Sequence, residues 1–413
     1  MILIIATGIL FSLLTGCASN QSSVPVNLRW AYTNGSQVQQ AQAGEQFFFN
    51  ILVDEGFISD GAPIKIKASG EVESGSLRFE LRRPDGQAVW DSEAIRPGDF
   101  SISAEYLVPA EQIGTFSLGM VHTDNTTATY SLSWYAFKLG PAILLPGIGM
   151  ILTGLVFVIY ATRRRLLGWR YLFLGGLFWV LTVIIKFAVA IPLNPLVFRW
   201  LGALPDRLFS PGNLAAYLYI GALTGVFEAG LAWLILGKIR WGKASWNQAL
   251  VFGIGFGVIE AVLLGGYGLA VASSALLAPN LLPVSTLGSL AANTTLAGLA
   301  PAIERFSVIL VHIFACVLIF YAIASRQARW GWLAILYKTL LDTPAGFAAF
   351  WGTDTALKLW TIEAVVAVIG LIGLWGTFQI ARCYPADIAG NNMDLNPFAK
   401  PQIAQRENED DTE

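Results

Sequence analysis

Two patterns of apolar residues divide the chain. From about Gln21 to Lys138 apolar and polar residues alternate in short runs, most clearly in Leu77-Arg78-Phe79-Glu80-Leu81 and Tyr130-Ser131-Leu132-Ser133-Trp134. A period of two is that of a strand with one buried face. The runs Val26 to Tyr32, Glu45 to Val53, Ile64 to Ala68, Ser76 to Arg82, Phe100 to Leu107, Thr115 to His122 and Ala128 to Phe137 predict seven strands. Turn sequences such as Arg83-Pro84-Asp85-Gly86 punctuate them, so residues 21–138 are expected to form an all-β sandwich. His122, at a strand end, is expected to be an ordinary exposed histidine.

After Gly140 the alternation gives way to long apolar spans: Pro141 to Tyr160, Tyr171 to Ile191, Leu214 to Leu236, Ala249 to Ser273, Phe306 to Ala324, Trp330 to Phe350 and Leu359 to Ala381. Each reaches the twenty or so residues that a bilayer core of about 30 Å requires. The expectation for residues 141–382 is a polytopic all-α bundle of seven transmembrane helices.

Composition agrees. Of 413 residues only 13% are charged and 55% are hydrophobic, with a mean hydropathy of +0.58, which excludes a wholly soluble enzyme. A formal charge of -2 offers no basic field for nucleic acid. The cysteines Cys17, Cys316 and Cys383 lie in three separate segments and build no disulfide framework. Only His122 and His312 are available as imidazoles, so a site in the bundle has one histidine at most.

Met1 to Leu14 is apolar, and Leu14-Thr15-Gly16-Cys17 resembles a bacterial lipobox, so residues 1–17 read as a signal peptide with Cys17 as the lipidated residue. The alternative is a short uncleaved anchor, since no Lys or Arg precedes the run. Positive charge gives the orientation. Arg163, Arg164, Arg165 and Arg170 follow the first span, Lys238, Arg240 and Lys243 the third, and Arg326 and Arg329 the fifth, whereas Ser274 to Ile303 carries none. By the positive-inside rule the former loops are cytoplasmic. This places a multi-pass protein in the bacterial cytoplasmic membrane, with the β domain outside and the flexible acidic tail, residues 386–413, inside.

Ionisable groups in a span cost about 2.5 to 3.5 kcal/mol each, so those present need partners or a function. Lys186, Glu228, Glu260, His312, Lys338, Asp342 and Glu363 lie within spans, and Arg305 stands at the outer end of the fifth. Glu228, Glu260, His312, Lys338 and Asp342 fall at similar depth, and a single polar cluster inside the bundle is expected. Gly253, Gly255 and Gly257 precede Glu260 at spacings that suit close helix packing. The competing explanation for the charges is a neutralised network that only holds helices together.

Three segments together resemble the YhfC-type membrane peptidases, related in concept to the PrsW and CAAX-processing intramembrane proteases. They are Gly225-Val226-Phe227-Glu228-Ala229-Gly230, Gly253-Ile254-Gly255-Phe256-Gly257-Val258-Ile259-Glu260-Ala261, and Glu304-Arg305 followed by His312; Lys338 to Asp342 is a weaker fourth. The likeness runs from about Tyr171 to Arg382 and leaves out the sandwich. It implies Glu228, Glu260 and His312 as catalytic residues, and the same three as ligands if the cofactor is zinc; a metal-free glutamate mechanism needs none. Lys186, Arg305, Lys338, Asp342 and Glu363 make up a supporting charge network. The chain departs from the family pattern at Ala229, Phe256 and Lys338, where Glu, His and His are expected, and the site reads as partly degenerate.

Three functions follow. One is an intramembrane peptidase, active or residual, acting on a membrane peptide. Another is a non-catalytic sensor or scaffold whose outer β domain binds an envelope ligand or protein. The third is a small transporter or proton relay using the same carboxylates and lysines, for which the sequence shows no internal repeat or broken helix pair.

Overall fold

The computed structural model describes residues 29–36, 44–123, 126–164, 168–204, 207–292, 297–353 and 355–384. The signal peptide, Cys17, the start of the first predicted strand, Arg165 and the tail from residue 386 lie outside the described residues. The chain divides into two compact units, one of described residues 29–148 with 267–299, the other of 149–266 with 300–384.

The first unit is built on eight strands: β1 (Trp30–Ser36), β2 (Gly44–Val53), β3 (Ile64–Ser74), β4 (Leu77–Arg82), β5 (Ala88–Asp91), β6 (Gly98–Tyr106), β7 (Gly114–His122) and β8 (Thr127–Tyr135). Two antiparallel sheets, in the orders β1-β8-β3-β6 and β2-β7-β4-β5, enclose a core that includes Ile66, Phe79, Leu81, Phe116, Leu118 and Leu132. The sandwich expected from the alternation is present. A short strand was missed: β5 closes the hairpin across Pro84-Asp85-Gly86, where Gly86 adopts φ 83. A single helical turn, α1 (Glu55–Asp60), capped by the Asp54 side chain, was missed as well.

His122 corrects an expectation. It is 3% exposed, because on β7 the residues Phe116, Leu118, Met120 and His122 share the inward face. Period two carries His122 into the core along with the apolar residues before it.

On the outer face, Glu80 is buried between Arg78 at 2.6 Å and Arg82 at 2.7 Å. Arg82 reaches on to Glu45 with paired bonds of 2.8 Å, and its guanidinium holds the Glu45 carboxyl below the usual carboxylate range. A lowered carboxylate stabilises the fold above its unfolded pKa and loses that contribution as pH falls through the folded one. Glu45 is half exposed, so the contribution is a few tenths of a kcal/mol. Glu45→Gln is expected to remove a small acid-sensitive component of sandwich stability, seen as a flatter unfolding midpoint against pH below about 5.

The segment 267–299 completes this unit. Helix α6 (Val284–Ala292) lies under the first sheet, where Trp30, Tyr135, Ile143, Val284 and Leu287 form a small apolar cluster. The Lys67 ammonium donates to the Pro279 carbonyl at 3.1 Å.

The second unit is helical. Its elements are α2 (Leu145–Arg163), α3 (Trp169–Leu201), α4 (Pro211–Leu236), α5 (Trp246–Leu277), α7 (Ala300–Ser325), α8 (Ala328–Trp351) and α9 (Ala356–Cys383), with α2 and α5 running on into the first unit. Among the described residues six helices are long and apolar enough to cross a membrane; α8, the remaining predicted span, is a helix of 24 residues outside that set. Its Lys338 and Asp342 lower its hydropathy, and its crossing is taken up below.

Helix α7 is the axis of the bundle, with 89% of its most apolar window buried. Glycines let its neighbours close in. A Cβ on Gly255 of α5 would stand 1.9 Å from the Leu172 carbonyl oxygen of α3, and one on Gly253 would stand 2.5 Å from the Ile313 Cα of α7. These contacts bring the backbones carrying Glu260, Trp179 and His312 together. Helix α4 contains a π-helical turn, Gly225–Gly230, in which Glu228 sits. The glycines Gly221 and Gly225 pack it against Thr339 of α8.

Candidate active site

Helices α3, α4, α5, α7 and α8 each deliver charged or polar side chains to one buried network. Lys186 of α3 donates to Glu228 Oε1 at 2.5 Å and to Thr224 Oγ1 at 3.3 Å. From the other side Lys338 Nζ stands 2.9 Å from Glu228 Oε2, an ion pair without hydrogen-bond alignment. The same ammonium lies 3.3 Å from His312 Nδ1, and His312 Nε2 is 2.7 Å from Glu260 Oε2. An ammonium only donates, so Nδ1 accepts; the ring hydrogen then sits on Nε2 and is donated to Glu260.

Glu260 is held three ways. Trp179 Nε1 donates to Oε2 at 2.9 Å, His312 shares that oxygen, and Arg305 pairs with Oε1. Arg305 also bonds Glu304 at 2.5 Å. The result is a chain running from Arg305 through Glu260, His312 and Lys338 to Glu228 and Lys186. Thr224 closes a side branch by donating to Asp342.

A cavity of about 240 Å³ adjoins this chain. Glu228, Glu260, Arg305, His312, Lys338, Asp342 and Glu363 all line it. Thr353, in the link from α8 to α9, and the partly exposed Glu304, near the start of α7, line it as well.

Thus every candidate picked out in the bundle lies in or against one site, Lys186 just behind its wall. Two participants were missed. Trp179 is seven positions before Lys186 on the same helix face, a spacing that could have signalled it. Thr224, four positions before Glu228, carried the same kind of signal.

The zinc expectation fares differently. A catalytic zinc takes about three protein ligands and a water. Among the described residues no group of three His, Cys, Asp or Glu side chains is placed to hold a metal ion. The contacts give the reason: both His312 nitrogens are engaged, both Glu260 oxygens are taken, and Glu228 lies between two ammonium groups. A dication would have to displace Lys338 from between Glu228 and His312. The donor set Glu228, Glu260 and His312 does not fit zinc as it stands.

Apolar helices of spanning length around a charged, cavity-lining network define a polytopic membrane protein with a site inside its bundle. The family model for the YhfC intramembrane metalloprotease matches residues 149–366, just over half of the chain, and the chain belongs to that family. No curated protein matches it.

Proposed function

We propose that the chain is an intramembrane peptide hydrolase whose site is run by a glutamate and an ammonium group. The observation that carries this is the pairing of Lys338 with Glu228 at 2.9 Å on the wall of an open cavity. Glu228 takes a proton from a water whose oxygen attacks the peptide carbonyl. Lys338 neutralises the oxyanion, and the proton passes from Glu228 to the leaving nitrogen as the C–N bond breaks. Glu260 and His312 are positioning residues that hold Lys338 by the bonds described above.

Several finer features belong to the same reading. Helix α8 is a seventh span whose polar residues face the site rather than lipid. The protein lies in a bacterial cytoplasmic membrane with the β domain outside and residues 386–413 inside; residues 1–17 are a cleaved signal, and Cys17 carries lipid. Residues 21–138 and 141–382 act as separate domains, and the substrate is a membrane peptide.

A second reading rests on a specific contact. Phe256, where the family pattern expects histidine, places its ring 5.0 Å from that of His312 and fills the space with an apolar group. That suits a non-catalytic sensor or scaffold, with the β domain binding an envelope protein and the charges fastening helices.

The test is hydrolysis of membrane peptides by the full chain in lipid nanodiscs, with and without a chelator. Chelation is expected to leave the rate unchanged and Glu228→Gln to lower it by about 10²- to 10⁴-fold, the range for a general base. Loss on chelation and recovery with zinc would sink the ammonium mechanism. Absence of hydrolysis in the wild type, with Glu228→Gln altering stability alone, would establish the scaffold.

A further inference from the structure

One carboxylate on the cavity wall has no part in the network. Glu363 of α9 is 7% exposed, its Oε2 is buried without a hydrogen-bond partner, and it forms no ion pair among the described residues. Asp342, which lines the same cavity, accepts a hydrogen bond from Thr224 and makes no ion pair within 4 Å among the described residues, Lys186 being the cation that acts on it. Among the described residues five acidic side chains, Glu228, Glu260, Glu304, Asp342 and Glu363, line the cavity, against two cationic ones, Arg305 and Lys338, with Lys186 pairing with Glu228 from behind the wall. A buried carboxylate without a partner is costly, and a ligand that supplies the missing cation relieves that cost.

We propose that the part of the cavity bearing Glu363 is a binding subsite for a primary ammonium group of a peptide, either a lysine side chain or a free amino terminus. This rests on the peptide-hydrolase reading and names its substrate class. Three features select the ligand. An ammonium has three donors to distribute, and Glu363, Asp342 and the Thr353 hydroxyl line the same cavity as acceptors. Leu341, Ala345, Ile362 and Val366 add apolar lining that suits the alkyl stem behind the charge. A metal ion needs donors converging on one point, and no such group of three exists among the described residues. A phosphatidylethanolamine headgroup carries the same ammonium, but its phosphate would enter a cavity that already has surplus negative charge. A peptide brings the cation without that anion.

Glu363 lies two turns, about 10 Å, from the start of α9, and Thr353, just before that helix, lines the same cavity.

Equilibrium binding tests this without turnover. The full chain, in phosphatidylcholine nanodiscs, is titrated with n-butylammonium and with 1-butanol, its neutral counterpart in size. Saturable binding of the ammonium, at least tenfold tighter than the alcohol and at least tenfold weaker in Glu363→Gln, is the expected result. Equal binding of the two probes would overturn the subsite, a comparison that uses only wild-type protein and needs no variant to fold. Two short peptides then separate the sources: one acetylated with a single lysine, the other with a free amino terminus and norleucine in place of lysine. Binding by either supports the proposal and assigns the amine. Binding by neither, with phosphatidylethanolamine in the nanodisc displacing butylammonium, would overturn it in favour of lipid. Ammonium binding without hydrolysis would retain the subsite and sink the hydrolase reading; hydrolysis without ammonium preference would do the reverse.

Discussion

Lys338→Met is expected to destabilise the bundle by about 3 to 5 kcal/mol, the cost of removing one partner from a buried ion pair. Lys338 is 2% exposed and serves two acceptors, Glu228 at 2.9 Å and His312 Nδ1 at 3.3 Å. Methionine matches its length but leaves Glu228 with Lys186 alone and His312 with an unmet acceptor. A hydrophobic replacement in a membrane core would otherwise be favourable, so the sign of the change separates an ion-pair role from simple packing. The double variant Lys338→Met with Glu228→Gln removes both charges together, and about half or more of the lost stability is expected to return. Unfolding of the purified protein in mixed micelles by a denaturing detergent would report both changes. A fully stable Lys338→Met protein would remove the counter-ion from the account. Any hydrolytic activity is expected to vanish in the single variant, because the oxyanion loses its cation.

Gly255→Ala is expected to be comparably severe although it adds only a methyl group. The new Cβ would stand 1.9 Å from the Leu172 carbonyl oxygen and 2.7 Å from the Leu172 carbonyl carbon, both backbone atoms that no rotamer change can move. Helices α3 and α5 must part. Overpacking in a well-filled interior costs about 1 to 3 kcal/mol, and more where backbone is struck. Separation also lengthens the Trp179 to Glu260 bond, now 2.9 Å, which joins the same two helices. Gly266, which has nothing within 4 Å of a built Cβ, lies on the same helix and is the control: Gly266→Ala is expected to be neutral or mildly stabilising. Thermal aggregation midpoints of the two variants measured side by side decide the matter, and equal midpoints would contradict the close crossing.

How far the sequence reached depended on the range of the interaction. Alternation is local, so the two sheets and the change at Gly140 were legible. Strand β5 is four residues long with intermediate burial, too short for a period to register. His122 was misjudged because the residues that follow it, Thr123-Asp124-Asn125, are polar, whereas its neighbours on the β7 inward face are Met120 and Leu118. The charged members of the site could be named because charge in an apolar span is conspicuous. Their partners could not. That Glu260 binds Arg305, Trp179 and His312, leaving Glu228 to the lysines, depends on how helices rotate about their axes, which no one-dimensional spacing encodes. The same holds for zinc, with which the family is compatible: spacing names Glu228, Glu260 and His312 as donors but does not show that Lys338 stands between Glu228 and His312.

The π-helical turn of α4 has a bearing on how such a site can change over generations. A π turn is an α-helix carrying a surplus residue, and each residue of an α-helix accounts for about 100° of rotation. The surplus therefore lets the two halves of α4 keep different phases, one presenting Gly221 and Gly225 to Thr339, the other presenting Trp233 to Gly331. Loss of a single codon within Gly225–Gly230 would restore uniform winding and swing Glu228 or the segment beyond it away from the lysines. Composition, hydropathy and charge would scarcely alter. The reading frame's smallest in-frame edit thus separates a chain with this site from one without it, and length in this stretch is as telling as residue identity.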